Sequence, residues 1–232
     1  MKILIVAATE AEVNPLNERL RQDTGDYSGF RHLAAAGITA DILVSGIGMV
    51  AMAWATGRQL QREKYDLVLN VGIAGSFNPD IPVGSVVNVV EDSFPEMGAE
   101  TGDGFLGISE MGFEEFDSPP YRKGILSNQT DFQRFGLEKL PRVKGITSNT
   151  IHGSAASVQN IVRQFHPDVE TMEGAAFLFV CRKEKLPCAQ IRAISNMVEV
   201  RNRAAWKVDQ AIRRLTETVM DTFEILNTAF DR

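Results

Sequence analysis

The residues best placed for chemistry in this chain are Glu12, Glu173, Arg192, Asn196 and the glycine-rich stretch Ser45-Gly46-Ile47-Gly48. Backbone N–H groups of such a stretch, with a helix following, suit the cradling of an anion. It lacks both the GxGxxG fingerprint and a P-loop lysine, so a simple tight turn is the favoured reading. Glu12 and Glu173 each fall at the opening of a helical pattern, where an acid complements the helix dipole without any further task. Arg192 interrupts an apolar strand, and a buried guanidinium needs a partner.

The elements around these residues give them a common place. Apolar runs alternate with helical patterns, which predicts an α/β fold, a single domain spanning 1–232 with a mixed central β-sheet flanked by helices. The pattern predicts strands at 2–8, 31–36, 40–45, 65–71, 83–90, 142–147, 168–172 and 189–194, with a Gly37 turn between the second and third. Helices are expected at 10–21, 48–63, 155–165 (Ser154 as its N-cap), from 173 to about 185, and at 206–229. Ligands in an open α/β sheet gather at the carboxyl ends of strands. Glu12, Gly46 to Gly48, Gly72-Ile73-Ala74-Gly75, Glu173 and Ser195-Asn196 all fall just after predicted strands. Residues 92–127 have weak periodicity, and a stretch of that length is expected to be functional or to form an interface.

Composition narrows the partners. The chain has 232 residues and a formal charge of −6, with no Lys/Arg run, so a small solute is expected and not a nucleic acid. The first apolar run is short and soon followed by Glu10 and Glu12, which reads as a buried strand and not a secretory signal. No apolar run approaches the ~20 residues of a membrane span. Cys181 and Cys188 lack metal or redox spacing and fit a reduced, cytoplasmic setting, and His32, His152 and His166 are scattered. Structural or exposed roles are expected for the histidines.

Five blocks, in order, resemble the purine nucleoside phosphorylase and nucleosidase superfamily, and in particular the 5′-methylthioadenosine/S-adenosylhomocysteine nucleosidases. They are Met1–Val13 with Glu12, Ser45-Gly46-Ile47-Gly48, Val71-Gly72-Ile73-Ala74-Gly75, Met172-Glu173-Gly174-Ala175 and Ile191-Arg192-Ala193-Ile194-Ser195-Asn196. The resemblance runs nearly end to end and implies a three-layer sandwich. It implies that Glu12 orients and deprotonates a water with Arg192 in its hydrogen-bond network, that Glu173 accepts from the ribose hydroxyls, and that Met172 packs under the sugar. Ile47, Ala74 and Gly75 would line the pocket, and Ile151 would present its backbone to the base. The sugar passes through an oxocarbenium-like state in such a reaction, which a carboxylate stabilises.

Within the superfamily the chain looks most like the futalosine hydrolases, which release hypoxanthine from futalosine in the alternative menaquinone pathway. The narrower likeness rests on Asp92-Ser93-Phe94-Pro95-Glu96-Met97-Gly98-Ala99-Glu100, on Phe105-Leu106 to Met111-Gly112-Phe113, and on Asn196. Adenine-releasing nucleosidases carry an aspartate at the position of Asn196. An asparagine amide can donate to O6 of hypoxanthine while its carbonyl accepts from N7–H of the departing base. It cannot deliver the N7 proton, so another group or solvent must. Thr9 and Ile73 replace a methionine and a serine of the adenine-specific enzymes. Trp206 stands where the nucleosidases have a phenylalanine over the 5′ substituent. There an indole would stack on futalosine's aromatic ring, and Arg201 and Arg203 would pair with its carboxylate or remain solvated surface.

The nearest rival is a phosphorylase, against which two acids after the first strand argue, because they would repel phosphate. An adenine-specific nucleosidase and a non-catalytic nucleoside-binding module are the others. No metal or organic cofactor is implied. Related enzymes are homodimers or larger, and residues 94–113 are expected to cover a neighbouring subunit's pocket.

Overall fold

A computed structural model describes residues 1–20, 30–35, 38–102 and 104–230. The Gly37 turn lies outside the described residues. In chain order the elements begin with β1 (Lys2–Ala7), α1 (Glu10–Leu20), the antiparallel pair β2 (Phe30–Ala35) and β3 (Ile38–Val44), α2 (Met49–Arg62), β4 (Leu67–Ser76) and β5 (Val86–Ser93). The hairpin β6 (Gly98–Thr101) and β7 (Gly104–Gly107) follows, then the short strands β8 (Tyr121–Arg122) and β9 (Ile125–Ser127). β10 (Arg142–Thr147), α3 (Ala155–Phe165), β11 (Val169–Thr171), α4 (Gly174–Lys183), β12 (Cys188–Met197) and α5 (Val208–Phe230) complete the order.

One mixed sheet carries all strands except β6 and β7, in the order β2-β3-β1-β4-β11-β10-β5-β9-β8. β12 is parallel to β4 along Cys188–Met197 and antiparallel to β5, while β11 meets the far end of β4. With β5 paired to β10 and β10 to β11, five strands close a ring through β4, β12, β5, β10 and β11. Ala74, Val87, Val89, Val143, Val169 and Ile194, drawn from all five, pack together as one small core.

Side-chain alternation builds the two larger cores. Along β1, Ile3, Ile5 and Ala7 meet α1 and α5 through Val13, Leu16, Leu215, Val219, Phe223 and Leu226. Leu4 and Val6 turn the other way, toward Met52 and Leu60 of α2 and Ala175, Phe177 and Leu178 of α4. Helices therefore cover both faces of the sheet. Among the described residues no helix is long and apolar enough to cross a membrane.

Several boundaries differ from the sequence reading. Gly72-Ile73-Ala74-Gly75 lies inside β4, because β12 pairs with it through Ser76 and keeps the chain extended. Ser195 and Asn196 likewise lie inside β12. Val83 and Gly84 belong to a turn before β5, with Gly84 at φ 90° and its N–H donated to Ile194 O. Residues 92–127 are more regular than their weak periodicity predicts, since β9 joins the sheet against Glu91, Asp92 and Ser93.

Candidate active site

Glu12 owes its position to the turn that precedes it. Thr9-Glu10-Ala11-Glu12 puts a glutamate three residues after a threonine, the spacing of a capping box. Glu12 Oε2 accepts from Thr9 N and from Thr9 Oγ1, both at 2.9 Å. The other oxygen, Oε1, accepts from Ile73 N of β4 at 3.1 Å. Of the four lone-pair sites of the carboxylate, three are occupied, and one on Oε1 remains for a ligand or a water. Thr9, an unexplained departure in the sequence, is thus a clamp on this carboxylate.

Glu173 holds the N-cap position of α4, but its side chain makes no capping bond. Thr171 Oγ1 accepts from Gly174 N and Thr147 Oγ1 from Ala175 N, at 3.1 and 2.7 Å, so the first donors of the helix are satisfied elsewhere. The Glu173 side chain is free to reach Gly48 N, at 2.9 Å. The glycine-rich stretch does receive an anion, and that anion is this carboxylate. Gly46 and Gly48 have φ of 89° and 94°, a left-handed backbone that glycine adopts without strain. Burial pushes the Glu173 carboxyl above its ordinary value and nearby Glu12 adds to the rise, while the Arg192 cation and the Gly48 N–H oppose it.

Arg192 is fully buried behind these acids. Its guanidinium donates to Asn70 Oδ1 and, through Nε, to Gln190 Oε1 at 3.2 Å. Nη1 has no hydrogen-bond partner among the described residues. Nη1 and Glu12 Oε1 both lie within 2.6 Å of the point a Cβ on Gly72 would occupy, so they face each other where that side chain is missing. Gln190 Nε2 in turn donates to Asp92 Oδ2 at 3.0 Å. Burial pushes the Asp92 carboxyl up to about 6, even with Gln190, Thr147 and Ser93 donating to it.

Asn196 is aimed by a break in register. Ile194 pairs with Ala74 and Asn196 with Gly75, which makes Ser195 a bulge that re-aims the next side chain. Asn196 Nδ2 donates to Met197 O at 3.0 Å, and Oδ1 accepts from Ser195 Oγ at 2.8 Å. A carbonyl can only accept, so the contact with Met197 O fixes which end of the amide is nitrogen. One N–H and one lone pair of Oδ1 remain for a ligand.

These side chains meet at a cavity of about 210 Å³. Glu12, Glu173, Asn196, Ile47, Ala74, Gly75, Ile151, Met172 and Trp206 all line it. Arg192 stands behind the wall. Arg201 lines a smaller adjoining cavity of about 80 Å³ that shares Asn196 and Trp206, and its guanidinium lies 5.5 Å over the Trp206 ring. Arg203 is exposed in a short 3-10 turn and lines neither cavity. Among the polar residues of the site, Glu170 was missed in the sequence, and His152 was read there as structural or exposed. Glu170 lines the larger cavity, and its carboxylate accepts from the backbone and ring nitrogens of His152. The available signal was a charged residue inside the short apolar segment Val169-Glu170-Thr171. The lining holds three carboxylates and, among the described residues, no lysine or arginine.

Comparison with known proteins agrees with this architecture. The phosphorylase superfamily pattern matches residues 2–230. A futalosine hydrolase of Streptomyces coelicolor is 33% identical over 187 residues, covering 77% of this chain and 76% of that protein. One from Acidothermus cellulolyticus is 32% identical over 228 residues, covering 93% and 87%. The crystal structure of a 5′-methylthioadenosine/S-adenosylhomocysteine nucleosidase from Colwellia psychrerythraea, in complex with adenine, superposes with a TM-score of 0.81 at 24% identity, covering 97% and 96%. The chain belongs to the phosphorylase superfamily, and its three-layer fold is the one these nucleosidases share.

Proposed function

We propose that the chain hydrolyses the N-glycosidic bond of futalosine, releasing hypoxanthine and dehypoxanthinyl futalosine in the alternative menaquinone pathway. The coarser statement, that it is a nucleosidase acting on purine nucleosides, rests on its family and on the relatives above. The observation that carries hydrolysis over phosphorolysis is the cavity lining. Glu12, Glu170 and Glu173 face it with no lysine or arginine among the described residues, so a phosphate would meet only repulsion.

In this reading the free lone pair on Glu12 Oε1 takes a proton from the attacking water, help worth ~10²–10⁴ in rate. Glu173 accepts from the ribose hydroxyls with the oxygen that does not hold Gly48, and lends negative potential to the cationic sugar. Arg192 acts through its field on these acids. Met172, Ile47, Ala74, Gly75 and Ile151 shape the walls. Asn196 offers its free N–H to O6 and its remaining lone pair to N7–H, which favours a 6-oxopurine. Trp206 and Arg201, already stacked, form one wall toward the 5′ group. Arg203 is left as surface.

A homodimer or larger assembly in the cytoplasm, each chain a single domain over 1–232, completes the reading. Ile47 at the cavity and Val50 and Trp54 of α2 are exposed apolar side chains, a feature that a second copy would bury. The test is incubation of the purified protein with futalosine, inosine and methylthioadenosine in phosphate-free buffer, with base release followed by chromatography. Hypoxanthine release from futalosine is expected. Adenine release from methylthioadenosine alone, or turnover only after phosphate is added, would overturn the reading.

A further inference from the structure

Glu170 is a buried carboxylate that the mechanism above leaves unused. Its backbone pairs with Gly75 of β4 from one side, and Asn196 pairs with the same Gly75 from the other. Adjacent strands lie ~4.8 Å apart, so the two residues stand about two strand spacings from each other with only a glycine between. A Cβ on Gly75 would lie 3.2 Å from Asn196 Nδ2 and 2.7 Å from Val198 Cγ2, so the glycine keeps the gap open. Both side chains line the cavity. Val169 packs in the core inside the strand ring, and alternation turns Glu170 to the opposite face.

The carboxylate is held from one direction only. Oε1 accepts from His152 N at 3.1 Å, and Oε2 accepts from the same N–H at 3.4 Å and from His152 Nδ1, which leaves a lone pair on Oε1 for a ligand. A 6-oxopurine presents N7, O6 and N1–H in succession along one edge, two acceptors and then a donor. Asn196 has a free N–H and Glu170 has a free lone pair on Oε1, in that spatial order around Gly75. A 6-aminopurine inverts the last two groups, and its bare N1 would face the carboxylate.

We propose that Glu170, positioned by His152, accepts the N1–H of a 6-oxopurine and together with Asn196 sets the base specificity of the site. This rests on the reading of the cavity as a purine nucleosidase site. A site built to accept from a ligand N–H rejects the analogue that lacks it far more strongly than shape alone does, because its own polar group is left unpaired.

The test uses the intact protein and free bases first. Calorimetry with hypoxanthine, 1-methylhypoxanthine and adenine is expected to show hypoxanthine binding at least about tenfold tighter than the other two. Equal binding of hypoxanthine and 1-methylhypoxanthine would overturn the proposal without touching the hydrolase reading. Absence of hypoxanthine release from any nucleoside would remove the hydrolase reading itself. The second arm is Glu170→Gln, whose amide can donate to the N1 of a 6-aminopurine. Its ratio of kcat/KM for futalosine over methylthioadenosine is expected to fall by about 10²-fold. His152→Phe is expected to move the same ratio in the same direction by a smaller factor. A uniform loss on both substrates, with the ratio unchanged, would assign Glu170 and His152 a purely structural role.

Discussion

At the Ile73 level of β4 the cavity wall is a carboxylate clamped by two main-chain N–H groups and the Thr9 hydroxyl, with a second carboxylate anchored on Gly48 and a buried guanidinium behind. Two residues further along, at Gly75, it is made of side chains from two flanking strands, one turned by a bulge and one held by a histidine. The first arrangement gives fixed charge with little freedom, which suits a reaction whose developing cation must be met by preorganised negative potential. The second gives a short row of donors and acceptors that suits discrimination between bases. Rate and selectivity should therefore separate under mutation, even though the two ends share one strand.

The largest effect is expected at the clamped end. Glu12→Gln keeps a carbonyl oxygen able to accept from Ile73 N but removes the proposed base, so kcat should drop by ~10²–10⁴. Hypoxanthine affinity should stay within about twofold, because the Gly75 end is untouched. Calorimetry beside steady-state kinetics checks both, and a parallel loss of affinity would break the separation. Next comes Asn196→Asp, in which a protonatable oxygen replaces the amide nitrogen. The futalosine-to-methylthioadenosine ratio of kcat/KM should fall by about 10²-fold, with the Ser195 contact retained. A uniform loss of rate on both substrates would mean that Asn196 serves the chemical step and not the choice of base.

How legible each end was in the sequence follows from how it is built. Glu12 lies three residues from Thr9, and Glu173 opens a helix next to its own block, so local spacing pointed to both. The alternation of apolar runs was equally sufficient for the two-sided layering, since β1 reads out both faces within six residues. Glu170 and Asn196 face each other only because β11 and β12 take opposite sides of β4, and pairing partners are not written in either segment. The bulge at Ser195 depends on register against Gly75, which no property of Ser195 announces. His152 looked like one of three scattered histidines until the turn before α3 brought it to Glu170. The same holds for Asp92, Gln190 and Asn70, polar residues inside strands that become a chain leading to Arg192.

The two glycines of β4 allow the comparison to be sharpened with matched substitutions. Gly72→Ala places a Cβ 2.4 Å from Arg192 Nη1 and 2.6 Å from Glu12 Oε1, whereas Gly75→Ala presses on Asn196 Nδ2 and Val198. Overpacking of this kind typically costs ~1–3 kcal/mol. Gly72→Ala should lower kcat about tenfold or more with base selectivity intact, and Gly75→Ala should chiefly shift the base ratio. Melting temperatures and the two-substrate assay would show this, and identical kinetic phenotypes would mean that the ends act as one unit.

The smallest effect is a displacement in pH. Burial raises the Glu173 carboxyl above its ordinary value of 4.5, so the ionised form required by its proposed role beside a cationic sugar forms only at higher pH. The acid limb of kcat/KM should therefore lie above 4.5. In the folded state this group holds its proton more tightly than in the unfolded chain. Its contribution to stability is therefore fully present below 4.5 and is lost as pH rises through the shifted value. Arg192 is the leading opposing influence, and Arg192→Met should move the limb further up. The base ratio should not change in that variant, because Arg192 stands behind the Ile73 level and does not line the cavity. A pH–rate profile for both substrates from about pH 4 to 8 tests the pair of statements. An unmoved limb with an altered base ratio would place Arg192 with the Gly75 end and reverse the division of labour along β4.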